Sequence, residues 1–309
     1  MTRIFVVGSY VQGLTLRVPR MPLAGENLVG GGFDLGPGGK GTNQAIAAAR
    51  LGAHVRLLAC LGDDAFGDWA LQVYAREGID TRHIHRIADC NSGVGFVNVL
   101  PDGENFITID MGANMRMRPQ QLRDCAAQIA DSDILMTQFE VPPETVQTAL
   151  MLGKEAGALT ILNPAPARPA DPAILRHVDV LTPNALEARM LLGLPLDDAT
   201  PTPALAERLL ALGAGAVVIT QGARGALILD DGGALQVPAP KIDAVDATGA
   251  GDSFNAALAV SLGEGKSLRA AVRRAVRAGA YTALHVGVIG GLPTSEQLSE
   301  FRGRAGARR

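Results

Sequence analysis

An α/β sandwich, with a mostly parallel central sheet covered by helices on both faces and a small β-sheet lid, is the fold class that three observations predict. From residue 119 onward short apolar runs alternate with helical ones, the pattern of crossover units in a parallel sheet. The chain has 309 residues, 47% hydrophobic but only 4% aromatic. That suits small aliphatic side chains packed between helices and a sheet, at the upper length of one α/β domain. Two stretches, about 14–33 and 91–110, break the alternation with polar–apolar repeats and turn residues. They predict a lid built by two excursions from a single domain spanning 1–309.

Ile4 to Gly8 reads as a buried first strand, and Leu14 to Phe33, with Pro19, Pro22 and Gly25, as a short antiparallel piece. Thr42 to Leu51 is an Ala-rich helix ended by Gly52, a common C-terminal signal. Val55–Leu61 is a strand and Phe66–Glu77 a helix stopped at Gly78. Gly93–Leu100 and Asn105–Asp110 flank Pro101-Asp-Gly-Glu104, a hairpin turn. Helix 120–130, strand 134–138, helix 143–155, strand 159–162 and strand 178–182 follow. Helices 185–191 and 203–212, strand 216–220 and the hairpin 226–229 with 234–237 come next, before helices 249–262 and 268–284.

The net charge of −3 gives no global attraction to nucleic acid. Arg269, Arg273, Arg274 and Arg277 recur at helical spacing as a solvated face, and Arg302, Arg304, Arg308 and Arg309 form a loose tail. Cys60, Cys90 and Cys125 are few and scattered, as in a reducing cytoplasm. The apolar run Ile4–Val7 is too short for a signal peptide, and no run reaches bilayer-spanning length. A cytoplasmic protein with neither a nucleic acid nor a membrane as partner is expected. His83 and His85 alternate along a surface strand without a third metal ligand.

The polar and glycine-rich segments fall after strands: Gly8-Ser9, Glu140, Asn163-Pro164, Pro183-Asn184, Thr220-Gln-Gly222 and Asp246–Asp252. In a parallel sheet these converge on one rim, where ligands bind. In Asp246-Ala-Thr-Gly-Ala-Gly-Asp252, Gly249, Ala250 and Gly251 sit where a helix begins. Unpaired N–H groups and the positive dipole end there favour a phosphate. Asp252, a carboxylate beside an anion cradle, makes sense as a base for whatever attacks that phosphate. Gly36-Pro-Gly-Gly-Lys-Gly-Thr-Asn43 opens the Ala-rich helix. It is neither a Walker A loop nor a dinucleotide fingerprint. It reads either as a flexible loop or as a backbone-lined pocket for a polyhydroxylated ligand, with Asn43 as hydrogen-bonding side chain.

Gly38-Gly-Lys-Gly-x-Asn43 and Asp246-x-Thr-Gly-Ala-Gly-Asp252 together resemble the paired signatures of the ribokinase-like (PfkB-type) carbohydrate kinases. Asn163-Pro-Ala-Pro-Ala-Arg168, Pro183-Asn-x-x-Glu187, Thr220-x-Gly-x-x-Gly225 and Gly112-Ala-Asn114 extend the resemblance through the chain. It implies the ribokinase-like sandwich and phosphoryl transfer from ATP to a sugar hydroxymethyl group. Asp252 would take the proton while Gly249, Ala250 and Gly251 hold the phosphoryl. Gly38, Gly39, Lys40, Asn43 and Glu140 would bind sugar; Asn184, Thr220, Gly222 and Gly225 would bind nucleotide. Glu187 with Asn184 would hold Mg²⁺ through water, although Asn-x-x-Glu is also a capping box. Asp246 and Thr248 match a K⁺ site, or form a simple Asx-turn.

The family pattern departs near the start. Gly8-Ser-Tyr-Val-Gln-Gly13 has Val11 and Gly13 where ribokinases carry an Asn-x-Asp that grips ribose. Loss of a buried acceptor costs roughly a few kcal/mol, enough to change sugar preference; Tyr10, Gln12 or Asp34 are the candidates to compensate. Ribose or a related furanose is expected, with a deoxy sugar, nucleoside, ketohexose or keto-deoxy acid as alternatives, and a non-catalytic sugar- or nucleotide-binding regulator as the rival class. Exposed lid strands predict a homodimer paired through the lid.

Overall fold

The computed structural model describes residues 1–101, 103–169 and 171–303. Asp102 of the expected hairpin turn and Arg304, Arg308 and Arg309 of the expected tail lie outside them. The first half contains β1 (Arg3–Val7), β2 (Val11–Arg17), β3 (Gly31–Gly38), α1 (Lys40–Arg50), β4 (His54–Gly62), α2 (Ala65–Arg76), β5 (Ile84–Ile87), β6 (Gly93–Val99), β7 (Asn105–Asp110), α3 (Pro119–Asp124), α4 (Ala126–Ala130) and β8 (Ile134–Gln138). The second contains α5 (Pro143–Glu155), β9 (Leu159–Asn163), β10 (Val180–Leu181), α6 (Ala185–Leu191), α7 (Thr202–Ala211), β11 (Ala216–Thr220), β12 (Ala226–Asp230), β13 (Gly233–Val237), α8 (Ala250–Gly263), α9 (Leu268–Thr282) and α10 (Ser295–Glu300).

The large sheet has nine strands in the order β13-β12-β11-β10-β9-β8-β1-β4-β5. Its pairs are parallel from β11 to β5, and the β12–β13 hairpin adds an antiparallel edge. Alternation along β1 divides the core. Ile4 and Val6 pack with α1, α8 and α9 on one face, while Phe5 and Val7 pack with α3, α5 and α7 on the other. Each such fully buried aliphatic or aromatic side chain contributes about 1.5–3 kcal/mol relative to exposure. A separate four-stranded sheet has the order β3-β2-β6-β7.

Two elements differ from the sequence expectation. The first lid excursion is strand at Val11–Arg17 and Gly31–Gly38, with coil between. β3 is GGFDLGPG, a composition of poor β-formers; it holds because it is an edge strand, where Pro37 needs no ladder donor. β2 and β3 pair antiparallel, as expected, and β2 joins the second excursion by pairing with β6 in parallel. Helix 120–130 breaks at Cys125 into α3 and α4. The strand expected around His83 and His85 is the edge strand β5, which includes His85, opposite Cys60, but not His83. No helix among the described residues is long and apolar enough to cross a membrane.

Candidate active site

The carboxyl ends of β1, β8, β9, β10 and β11 meet the starts of α1, α6 and α8 on one rim. α8 begins at Gly249, whose φ of 80° is left-handed. A Cβ there would stand 2.7 Å from Val288 Cγ1, so only glycine closes this turn. A Cβ on Gly251 would meet nothing within 4 Å; that side of the turn is open. Ala250 N–H bonds back to the Ala247 carbonyl at 3.1 Å. The N–H groups of Gly249, Gly251 and Asp252 have no partner among the described residues. The amides at this turn that are open to a ligand are thus these three, while that of Ala250 is taken.

The Asp252 carboxylate is buried, 6% exposed. Oδ2 accepts from Asn43 Nδ2 at 2.8 Å and Oδ1 from Gln44 Nε2 at 3.0 Å. Burial pushes its pKa up; the Lys40 charge and the two amide donors pull the other way without cancelling it. Asn43 Oδ1 is buried and has no partner among the described residues.

α1 brings Asn43 and Gln44 here because its first turn lies directly on the β1–β2 connection. A Cβ on Gly41 would sit 2.3 Å from Ser9 N, and Thr42 N–H donates to the Ser9 carbonyl at 2.9 Å. Glu140, 6% exposed, closes this corner. Its Oε2 accepts from Ser9 Oγ at 2.5 Å and from Lys40 N–H at 2.7 Å. Burial raises its pKa as well. For Lys40, burial works to lower the ammonium pKa, but the carboxylates of Asp252, Glu140 and Glu187 outweigh it and the net direction is up. Its ammonium forms no ion pair or hydrogen bond among the described residues.

Asn184 caps α6 in a reciprocal capping box. Its Oδ1 accepts from Leu186 N and Glu187 N at 2.9 Å each, while Glu187 accepts from Asn184 N at 2.8 Å and Nδ2 at 2.9 Å. Each Glu187 oxygen thus has one donor and a second lone pair free. That fits an ion held through its waters rather than by a protein cage, and no group of three or more potential ligands gathers among the described residues. Thr220 lies beside Asn184 in a parallel bridge. Gly222 and Gly225 form the β11–β12 turn, Gly225 N–H donating to the Gly222 carbonyl at 2.9 Å.

Asp246 forms the Asx-turn: Oδ1 accepts from Thr248 N at 2.9 Å and Thr248 Oγ1 at 2.6 Å. Oδ2 accepts from Gly287 N at 3.0 Å. Although partial burial works upward, these donors hold its pKa below the usual carboxylate value. Only Oδ2 retains an unused lone pair for a cation, which fits a site completed by backbone carbonyls rather than by this carboxylate.

Gly13 pairs with Gly36 in β3 and with Gly95 in β6, so no side chain stands at the centre of that lid face. Tyr10 and Gln12 are turned to each other. Both are fully buried, Tyr10 OH donates to Gln12 Oε1 at 2.5 Å, and Gln12 Nε2 donates to the Gly36 carbonyl at 3.0 Å. Asp34, two residues from Gly36, shares the face of Gly13 and Gly36.

Sequence reading missed Gln44, Gln138, Thr182 and Asn255 as site residues and gave Asn163 no role. All are at most 7% exposed. Their signal was polar side chains ending apolar parallel strands, or interrupting an apolar helix.

A family model described as "pfkB family carbohydrate kinase" matches residues 1–295. A ribokinase of Bacillus subtilis is 37% identical over 97% of this chain and 99% of its own length. A deoxyribokinase of Salmonella typhi is 34% identical over 96% of this chain and 98% of its own. The crystal structure of a Thermotoga maritima ribokinase superposes with a TM-score of 0.89 at 31% identity, covering 97% of this chain and 98% of that one. With the same fold, a family match over residues 1–295 and full-length similarity, this chain belongs to the pfkB family of carbohydrate kinases and is a sugar kinase.

Proposed function

We propose that the enzyme transfers the terminal phosphoryl group of ATP to the hydroxymethyl group of a furanose, ribose or a close relative, with Asp252 as general base. One observation carries this reading: a buried carboxylate stands at the open first turn of α8, beside three N–H groups without partners. Asp252 accepts the hydroxyl proton as the oxygen attacks phosphorus and ADP departs. Gly249, Gly251 and Asp252 amides receive the charge on the transferring group. The Lys40 ammonium, near three carboxylates but bonded to none, is available to the phosphates.

Gly38, Gly39, Asn43, Glu140 and the Gly13 face would border the sugar; Asn184, Thr220, Gly222 and Gly225 would border the nucleotide. Glu187 and Asn184 would hold Mg²⁺ through water, and the ion would supply charge neutralisation on the phosphates. Asp246 and Thr248 would border a K⁺ that orders the α8 turn. The reading takes 1–309 as one kinase domain, working in the cytoplasm. Its lid would pair in a homodimer, because Phe33, Phe96 and Phe106 are 61%, 54% and 41% exposed.

A second reading, a 2-deoxy sugar, is favoured by Gly13: an absent acceptor matters least to a substrate lacking a hydroxyl. A Salmonella typhi deoxyribokinase is among the full-length relatives. ADP release measured over pentoses, 2-deoxyribose, ketohexoses and nucleosides, with and without K⁺, tests both. Absence of sugar-stimulated ADP release across the panel overturns both.

A further inference from the structure

We propose that a closed ring of buried amides, Gln44, Asn163 and Asn255 with the hydroxyl of Thr182, is the positioning device of the transfer step, fixing Asp252 and the turn that carries it. The proposal rests on the reading of Asp252 as general base.

The ring runs through four elements of the fold. Asn255 Nδ2 donates to the Gly251 carbonyl at 2.9 Å. Thr182 Oγ1 donates to Asn255 Oδ1 at 2.6 Å. Asn163 Nδ2 donates to the Thr182 carbonyl at 3.1 Å. Gln44 Nε2 donates both to Asn163 Oδ1 at 3.1 Å and to Asp252 Oδ1 at 3.0 Å. The Gly251–Asp252 peptide closes the circuit.

Its direction is determined. The carbonyls of Gly251 and Thr182 only accept, so they fix which end of Asn255 and of Asn163 faces them. Asn163 Oδ1 must then meet a donor, which orients the Gln44 amide. Gln138 Nε2 donates to Gln44 Oε1 at 2.7 Å and fixes it a second time. Gln44, Asn163, Thr182, Asn255 and Gln138 are 0%, 7%, 1%, 1% and 1% exposed, so water is a poor substitute for any member. The first turn of α8 is thereby held at two points, the Gly251 carbonyl and the Asp252 carboxylate. It is held by Gln138 and Asn163, the last residues of β8 and β9, and by Thr182, the residue after β10. None of the ring side chains need touch sugar or nucleotide.

Asp252 is surrounded by few charges. Lys40 faces it from α1, Glu140 from beyond β8 and Glu187 from α6. Removing the Gln44 donor leaves these charges in place and takes away the hydrogen bond to the charged form of Asp252 together with the one to Asn163 Oδ1.

The test uses the full chain with Gln44→Met and Gln44→Glu, beside wild type and Asp252→Asn, measuring kcat, sugar KM and kcat/KM against pH. Gln44→Met should lower kcat about ten- to a hundredfold, as expected for a lost hydrogen bond to a charged group. Sugar KM should change little, and the acid limb of kcat/KM should move to higher pH. Gln44→Glu still accepts from Gln138 but can donate to Asp252 only while protonated. Its activity should therefore acquire a new fall on the alkaline side. Profiles of both variants that superimpose on wild type after scaling overturn the proposal, leaving the ring as packing. Should Gln44→Met fail to fold, the nearly isosteric Gln44→Glu decides by profile shape alone. Wild-type turnover in Asp252→Asn would instead remove the base reading itself, a distinct result.

Discussion

Around Asp252 each carboxylate oxygen has its own amide donor, and Gln44, one of the two, is oriented in turn by Gln138 and Asn163. On the lid sheet the corresponding positions are bare: Gly13 faces Gly36 on one side and Gly95 on the other. One half of the site is over-determined and the other nearly empty. Phosphoryl transfer depends on positioning, and the buried half supplies it. Choice of sugar depends on which hydroxyls find partners, and the lid can gain or lose a partner without disturbing the core. On the proposed reading, reaction type and substrate preference thus rest on regions of different hydrogen-bond density.

The comparison is broken most directly at its densely bonded end. Asp252→Asn should lower turnover about 10²–10⁴-fold, with ATP and sugar binding retained by calorimetry. The same variant should not destabilise the protein, and its apo form should melt higher at neutral pH. The sign follows from burial, which raises the folded carboxyl pKa. The folded state holds that proton more tightly than the unfolded chain, so this group's contribution to stability falls as pH rises through the interval between the two pKa values. An amide removes that loss, and Asn43, whose Oδ1 lacks a partner, can turn to accept from it. A large drop in Tm would contradict this account.

The second prediction concerns pH in the wild type. The base must be ionised, so kcat/KM should decline on acidification, with a midpoint above the ordinary carboxylate range because burial raises Asp252. A rate that stays level down to ordinary carboxylate pKa values would contradict the assignment.

Smaller effects should come from the lid. Gly13→Asp restores an acid; a Cβ there meets only the Gly36 carbonyl, at 3.2 Å, a contact a slight shift relieves. Ribose should gain roughly tenfold or more over 2-deoxyribose in kcat/KM. An unchanged ratio would show that sugar does not meet the lid at this position. Phe96→Lys should shift sedimentation from dimer to monomer, with the least effect on the chemical step; a wild-type that sediments as monomer at micromolar concentration would remove the dimer from the proposal.

What the sequence showed followed chain contiguity. The Asp246–Asp252 turn and the Gly38–Asn43 pocket are each built by consecutive residues, so the local pattern carries the geometry. The amide ring is different. Gln44, Asn163, Thr182 and Asn255 come from separate elements and become neighbours only when β8, β9 and β10 lie side by side. β3 was hidden for a third reason: half of GGFDLGPG is glycine, and its strand state is imposed by β2 rather than by its own propensity. The same holds at Cys125, where nothing in an Ala- and Gln-rich run announces that a helix divides.

The parallel pairing of β2 with β6, Val11 opposite Gly93 and Arg17 opposite Val99, has a consequence for how the chain acquires its shape. These partners are separated by β3, α1, β4, α2 and β5, so the lid is closed by contacts that are far apart along the chain. The large sheet closes over a still longer span, Ile4 opposite Ile134, but its β1 and β8 are buried, whereas β7 is exposed along its whole length, so in the lid less burial offsets the loop-closure entropy. The lid should be the last part of the molecule to assemble and the first whose amides exchange with solvent, opening while the large sheet stays intact.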